Sequence, residues 1–335
     1  MFEKVAVSLS TALTAHLTYV CRRACGAPVD GLDPILRWVD DCARAQIAPL
    51  HLPLLACEAA GGDPTQAIPV AAAWHLLHCA AHLLDDIVDE ACPAHESAQA
   101  VNTAVVLISL AQVSLTTWEP NQVEPAHVVT LIEAFNAAMA RTALGQAADL
   151  AWDEEAATLD DYWRVARAKA GEFFALACRA GAMLGTRPQT EVDIYATFGY
   201  HLGLLVQLGD DLRALWQPRG RGDLNTAGRT LPVVYALTVA SPQAKARLYA
   251  LCSLLRHAPD DSALRELQAM LADLGALHYV TWQAGRQHYL AFEALLSSAR
   301  PVVAQHELLR LLDAAFPAVA RAQWTSFRFP LSRGN

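Results

Sequence analysis

The segment HLLDDIVDE, residues 82–90, sets four carboxylates, Asp85, Asp86, Asp89 and Glu90, into an otherwise apolar, alanine-rich run. In an α-helix residues four apart share a face, so Asp85 and Asp89 point the same way, with Asp86 turned about 100° to one side. Like charges at this spacing repel. A second pair, Asp210 and Asp211, ends the apolar part of GYHLGLLVQLGDDLRALW. Either pair alone reads as a helix end reaching water, the common fate of aspartate. Taken together they say more, because each closes a long apolar helical run and each is followed by a Pro- or Gly-containing loop. Two acidic pairs facing each other over an apolar cavity need cations. Hard oxygen ligands of this kind suit Mg²⁺, which binds through one or two carboxylates plus substrate phosphates.

The elements that must position these residues are helices. The chain has 335 residues, 54% hydrophobic and 18% charged, enough for one large core in a single domain over residues 1–335. Alanine and leucine dominate and strand-like runs are short, so the class is all-α. Turn signals at CGAPVDGLDP, AGGDP, ACPAHE, WEPNQVEP, GTRPQT, WQPRGRGD, ASPQ and HAPDDS divide it into roughly ten helices. A bundle of this kind can hold a metal or cofactor site inside, on facing helices.

Composition also excludes partners. A formal charge of −9 and no Lys/Arg cluster argue against nucleic acid. The most apolar segment, VAAAWHLLHCAAHLL, is broken by histidines and falls short of the roughly 18 apolar residues of a membrane span. At the start, MFEKVAVSLSTALTAHLTYVCRRACG has the wrong charge order for a secretory signal and reads as a first helix. Eight scattered cysteines lack zinc-site spacing and read as reduced, buried thiols of a cytoplasmic protein.

DDIVD, residues 85–89, resembles the first aspartate-rich motif of the trans-prenyl diphosphate synthases, the polyprenyl synthetase family. Upstream, LLACEAAGGDPTQAIPVAAAWHLLHCAAHLLDDIVDE is similar to that family's first block. Downstream, GQAADL (145–150), YWRVARAKAGEFFALACRAGAMLG (162–185), GLLVQLGDDL (203–212) and DLNTAGRTLPVVYAL (223–237) follow in the family's order and approximate spacing. The likeness covers most of residues 50–240, and the combination is far more specific than a lone DDxxD.

The resemblance implies an isoprenoid synthase fold around a deep apolar pocket, an allylic prenyl diphosphate substrate, three Mg²⁺ ions bound with the diphosphate, and a homodimer. By position Asp85 and Asp89 match first-motif metal ligands, Asp86 supports them, and Asp210, with Asp211 beside it, matches the second motif. Lys169 matches a lysine that contacts the diphosphate, and Arg219 stands where another is expected. Gln207 and Asp223 also keep family positions.

The departures cluster on one half of the chemistry. Chain-elongating members hold isopentenyl diphosphate with a basic GKRxR-type motif, where this chain reads AQIAP (45–49), and with an arginine pair, where it has Ala94 and His95. The second motif ends at Ala214, and the Gly-Lys pair before TLP is Ala227 and Gly228, with Arg229 one place further on. Of the isopentenyl diphosphate contacts only His78 remains. Binding two diphosphates needs many cations. The pattern therefore favours a terpene synthase-like enzyme that ionises one prenyl diphosphate and cyclises or deprotonates the cation. The alternatives are chain elongation with a rebuilt second site and a silent partner subunit, against which the retained Lys169 and Arg219 speak.

His75, His78 and His82 share a face with Asp85 and Asp89, but the Glu-x-x-His motifs of a bundle di-iron site are missing, so cavity-lining histidines are the favoured reading. Ala80 and Ala81 stand five and four places before Asp85, where the family's chain-length rule puts the residues that close the pocket. Trp74, eleven residues or about 16 Å before Asp85 along the helix, either floors a pocket for a C15 to C20 or somewhat longer chain, by the family's length rule, or packs against a neighbouring helix. Phe173, Phe174 and Tyr200 could face a carbocation, though core packing is the commoner use of aromatics.

Overall fold

The structure, a computed structural model, describes residues 2–25, 51–88, 94–119, 122–152, 158–185, 188–218, 221–258, 260–298 and 303–316. Among these residues there is no strand, and the class is all-α as expected.

Helix α1 (Phe2–Cys25) buries Leu13, Leu17, Val20 and Cys21, a stripe at helical spacing. It lies on α3 (Ile68–Val88) and α4 (Ala94–Ser114). Between α1 and α3, α2 (Leu52–Ala59) ends in a turn where Gly61 takes a φ of 92°, open to glycine at no steric cost. Asp63 then accepts from the Thr65 N–H and starts a 3₁₀ turn over Pro64–Ala67. Helix α3 is buried from Pro69 to Leu77, and polar groups open toward its C-terminal end.

The segment 162–185 is divided by a change of helical pitch. Helix α6 (Leu159–Ala166) opens on a capping box between Thr158 and Asp161, passes into a π-helical turn at Arg167–Gly171, and continues as α7 (Glu172–Gly185). Around that turn sit α5 (Pro125–Leu150) and α8 (Gln189–Trp216). They come close because of glycine: a Cβ at Gly145 would stand 2.7 Å from the Ala168 Cβ, and one at Gly203 would stand 2.4 Å from the Ala170 carbonyl oxygen.

Beyond α8 the chain folds into α9 (Arg221–Asn225), a 3₁₀ turn at Ala227–Arg229, α10 (Leu231–Val239), α11 (Pro242–His257) and α12 (Asp261–Asp273). These gather around a smaller core built on Leu215, Leu248, Leu255 and Leu267. Helix α13 (Ala276–Leu296) returns along α8, and α14 (Val303–Ala315) ends with the Ala315 carbonyl beside Gly209. The fourteen α-helices among the described residues exceed the ten expected, because the π turn and short segments such as α9 leave no separate mark in hydropathy.

By hydropathy alone two segments reach the length and composition of a membrane span, Pro64–Val88 and Ser97–Ser114, contrary to the expectation that none would. The first is a core helix, with 72% of its most apolar window buried inside the protein; the second is 33% buried.

Candidate active site

Asp85 and Asp86 lie in the last turn of α3 and are half-buried. Burial pushes the Asp85 carboxyl above the usual carboxylate range, against the pull of Lys169 and His82. Asp86 moves the same way, by burial first, with the charge of Asp85 adding to it. For both carboxyls burial outweighs the pull of the nearby basic groups. Asp89 and Arg219 lie outside the described residues, as do residues 45–49, and the side chains of Ala94 and His95 are likewise not described.

Lys169 comes from the π turn, a form of helix that often marks functional positions. Its Nζ is 3.2 Å from Asp149 Oδ2 and 3.9 Å from Asp85 Oδ1. On the other side, Arg229 Nη1 is 4.0 Å from Asp149 Oδ1. A carboxylate, an ammonium, a second carboxylate and a guanidinium therefore follow one another across α3, the π turn, α5 and the turn before α10. Asp149, inside GQAADL, was not singled out from sequence. The signal was the one charged residue in that motif.

The second acidic pair divides its labour. Asp210 is exposed and paired with Arg213 on the same helix. Asp211 is 5% exposed and accepts from Tyr162 Oη at 2.7 Å, Gln207 Nε2 at 2.8 Å and the Leu231 N–H at 2.8 Å. Burial outweighs those three donors and raises Asp211 to about 6. Asp149, Asp210 and Asp211 all act electrostatically on Tyr162, whose hydroxyl is held far above its ordinary range by burial first and by these carboxylates next. Tyr162, too, escaped the sequence reading.

The histidines of α3 fill space beside the acids. His78 Nε2 and His82 Nε2 are 3.1 Å apart, and burial holds His78 well below its ordinary range. His75 is buried against Cys79, with Sγ 3.6 Å from Nε2. Trp74 packs against a neighbouring helix: it is fully buried, its indole N–H donates to the Phe173 carbonyl at 2.9 Å, and its ring stacks on Phe173 and His78. Ala80 is fully buried, while Ala81, one place nearer Asp85, keeps some exposure.

Among the described residues no three His, Cys, Asp or Glu side chains converge tightly enough to hold an ion alone. All-oxygen donors raised in pKa by burial fit Mg²⁺ that is completed by phosphate oxygens.

A model of the polyprenyl synthetase family matches residues 49–271, more than half of the chain. The (2E,6E)-farnesyl diphosphate synthase of Mycobacterium tuberculosis is 30% identical over 240 residues, which cover 62% of this chain and 65% of that protein. The geranylgeranyl diphosphate synthase of the same organism is 30% identical over 201 residues, covering 56% and 57% of the two chains. The chain thus spans less than two thirds of the length of these curated relatives. In structure it is similar to a geranylgeranyl pyrophosphate synthetase from Pyrococcus horikoshii (TM-score 0.74, 22% identity, 91% of this chain and 98% of that one). It is also similar to a polyprenyl synthase from Caulobacter crescentus complexed with calcium and isoprenyl diphosphate (TM-score 0.75, 23% identity, 94% and 97%). With the family match over most of the bundle and the aspartates, Lys169 and Arg229 in contact inside it, the chain belongs to the polyprenyl synthetase family.

Proposed function

We propose that the protein is a prenyltransferase of isoprenoid biosynthesis that joins an allylic prenyl diphosphate to isopentenyl diphosphate. The observation that carries this reading is the contiguous line Asp85, Lys169, Asp149, Arg229 in a chain whose relatives are farnesyl and geranylgeranyl diphosphate synthases. Those relatives weigh for elongation over the cyclisation that the sequence alone favours.

Asp85 and Asp210, with Asp89, are the groups to hold Mg²⁺ together with the diphosphate. When bound, Mg²⁺ supplies Lewis-acid uptake of the charge that develops on the leaving diphosphate. Lys169 and Arg229 offer charge-assisted hydrogen bonds to phosphate oxygens. Asp211 acts through position, fixing α8 against α6 and α10 next to Asp210. The apolar walls exclude water from the allylic cation, with Ala80 and Ala81 leaving room for the growing chain. The reading includes a homodimer, for which the exposed Val101 and Val105 of α4 offer a face, and a cytoplasmic location, with which the free, buried Cys57 and Cys178 agree.

A second reading, ionisation of one diphosphate followed by cyclisation or deprotonation, rests on two departures, the uncharged AQIAP and the missing arginine pair at 94–95. Incubation with Mg²⁺ and C10, C15 or C20 allylic diphosphates, with and without isopentenyl diphosphate, separates the two. Longer diphosphates made only with isopentenyl diphosphate support prenyl transfer. Hydrocarbons or alcohols made without it would replace that reading with the second.

A further inference from the structure

We propose that Asp149 is a positioning residue of the diphosphate site, holding the Lys169 ammonium away from Asp85 and beside Arg229 so that both cations are ready for an arriving diphosphate. The inference rests on the diphosphate reading above and adds a residue to it.

Three observations point to Asp149. It is the closer of the two carboxylates to Lys169, at 3.2 Å against 3.9 Å for Asp85, so it takes the main share of that charge. It also reaches Arg229 at 4.0 Å, so a single acid stands between two cations that would otherwise repel each other. Finally, it sits in the last turn of α5, where the helix dipole disfavours a carboxylate; helix stability gives no reason for an acid there.

The physical consequence is preorganisation. A lysine side chain carries much rotamer entropy, and an ammonium already held in place gives up less of it when it binds phosphate. Without the Asp149 charge, Asp85, 3.9 Å away, still draws the Lys169 ammonium. A tight Lys169–Asp85 pair would occupy both the phosphate-binding cation and a carboxylate proposed for Mg²⁺.

Simple charge counting makes the opposite forecast. Deleting a negative charge beside an anion site should strengthen anion binding, so the sign of the effect decides between the two.

The test is calorimetric titration of the full chain with inorganic diphosphate in the presence of Mg²⁺, for the unmodified protein, Asp149→Asn, Lys169→Gln and the double variant. Asp149→Asn should bind about tenfold more weakly, the loss of one charge-assisted contact. In the Lys169→Gln background the same change should cost about twofold or less. Binding by Asp149→Asn that is unchanged or tighter would overturn the proposal. So would an equal loss in both backgrounds, which would mean that Asp149 acts without Lys169. If Asp149→Asn loses its helical circular dichroism, Asp149→Ser, smaller and uncharged, takes its place under the same two criteria. Should the unmodified protein take up no diphosphate with Mg²⁺, the functional reading itself falls, and this inference with it.

Discussion

Tyr162 and Asp211 are joined by a 2.7 Å hydrogen bond that spans 49 residues of chain, the tyrosine hydroxyl donating to Oδ2 of a fully enclosed carboxylate. Gln207 and the Leu231 N–H donate to the same acid. Helices α6, α8 and α10 therefore meet on one side chain, directly beside Asp210. A buried acid that loses a donor is left with an expensive unmet need.

Tyr162→Phe should accordingly destabilise the protein by about 1–3 kcal/mol. The loss should be larger at pH 8, where Asp211 is ionised and needs the donor most, than at pH 5. Chemical denaturation at both pH values measures this. An equal loss at the two would show that the hydroxyl does not stabilise the charged form.

The raised pKa of Asp211 makes a prediction for the unmodified chain as well. Burial pushes its carboxyl up to about 6 in the folded protein, against 3.8 for an ordinary aspartate. Between these values the folded state holds a proton that the unfolded state has released. This contribution to stability is therefore fully present below about pH 4 and is lost as pH rises through 6, on the order of 3 kcal/mol in all. Asp85 and Asp86 are shifted in the same direction. In Asp211→Asn the fall in denaturation midpoint between pH 4 and 7 should be shallower than in the unmodified protein. Parallel curves would remove Asp211 from the linkage.

Much of this site is legible in the sequence because it is made of charges in apolar surroundings. Asp85, Asp86, Asp210 and Asp211 interrupt hydrophobic helical runs, a contrast that needs no third dimension, whereas Lys169 stood out only through the resemblance of its motif. The contacts that organise them are another matter. Tyr162 and Asp211 are far apart in the chain, and nothing local tells either that the other exists. Asp149 reads as an ordinary acid near a helix end until Lys169 and Arg229 are seen on either side of it. Trp74 admitted two readings from helical spacing alone, and its hydrogen bond to the Phe173 backbone, 99 residues away, is what places it between helices. The π turn is hidden for a related reason: the helices packed against residues 168–171, α5 and α8, are distant in the chain. The only local trace is glycine at 145, 171 and 203 inside otherwise good helix-forming runs.

Gly203→Ala tests that packing. The new methyl would lie 2.4 Å from the Ala170 carbonyl oxygen and 2.9 Å from its carbon, both backbone atoms. Helix α8 must back away from the π turn, at about 1–3 kcal/mol, and Lys169 moves with its neighbour. Gly209→Ala is the control on the same helix, since its closest contact would be 3.2 Å. Thermal unfolding should rank Gly203→Ala well below Gly209→Ala. The reverse order would mean that the close approach at Ala170 is not needed.

Asp85 and Lys169, 3.9 Å apart, should fail differently when each is removed. Asp85 is proposed as a metal ligand, and its carboxylate is needed wherever charge builds up on the leaving group. Asp85→Asn should therefore slow diphosphate release at saturating substrate by about a hundredfold or more, the usual cost of deleting one preorganised electrostatic partner. Lys169 holds the diphosphate both before and during its departure. Lys169→Ala should raise the half-saturating substrate concentration about tenfold, with a smaller loss in maximal rate than Asp85→Asn shows. Because burial raises Asp85, protons compete with Mg²⁺ for it further up the pH scale than they would at an exposed aspartate. The Mg²⁺ concentration for half-maximal release should fall as pH rises from 5 to 7. Diphosphate release followed over a grid of substrate, Mg²⁺ and pH checks all three statements together. Unchanged turnover in Asp85→Asn would remove the metal from this carboxylate.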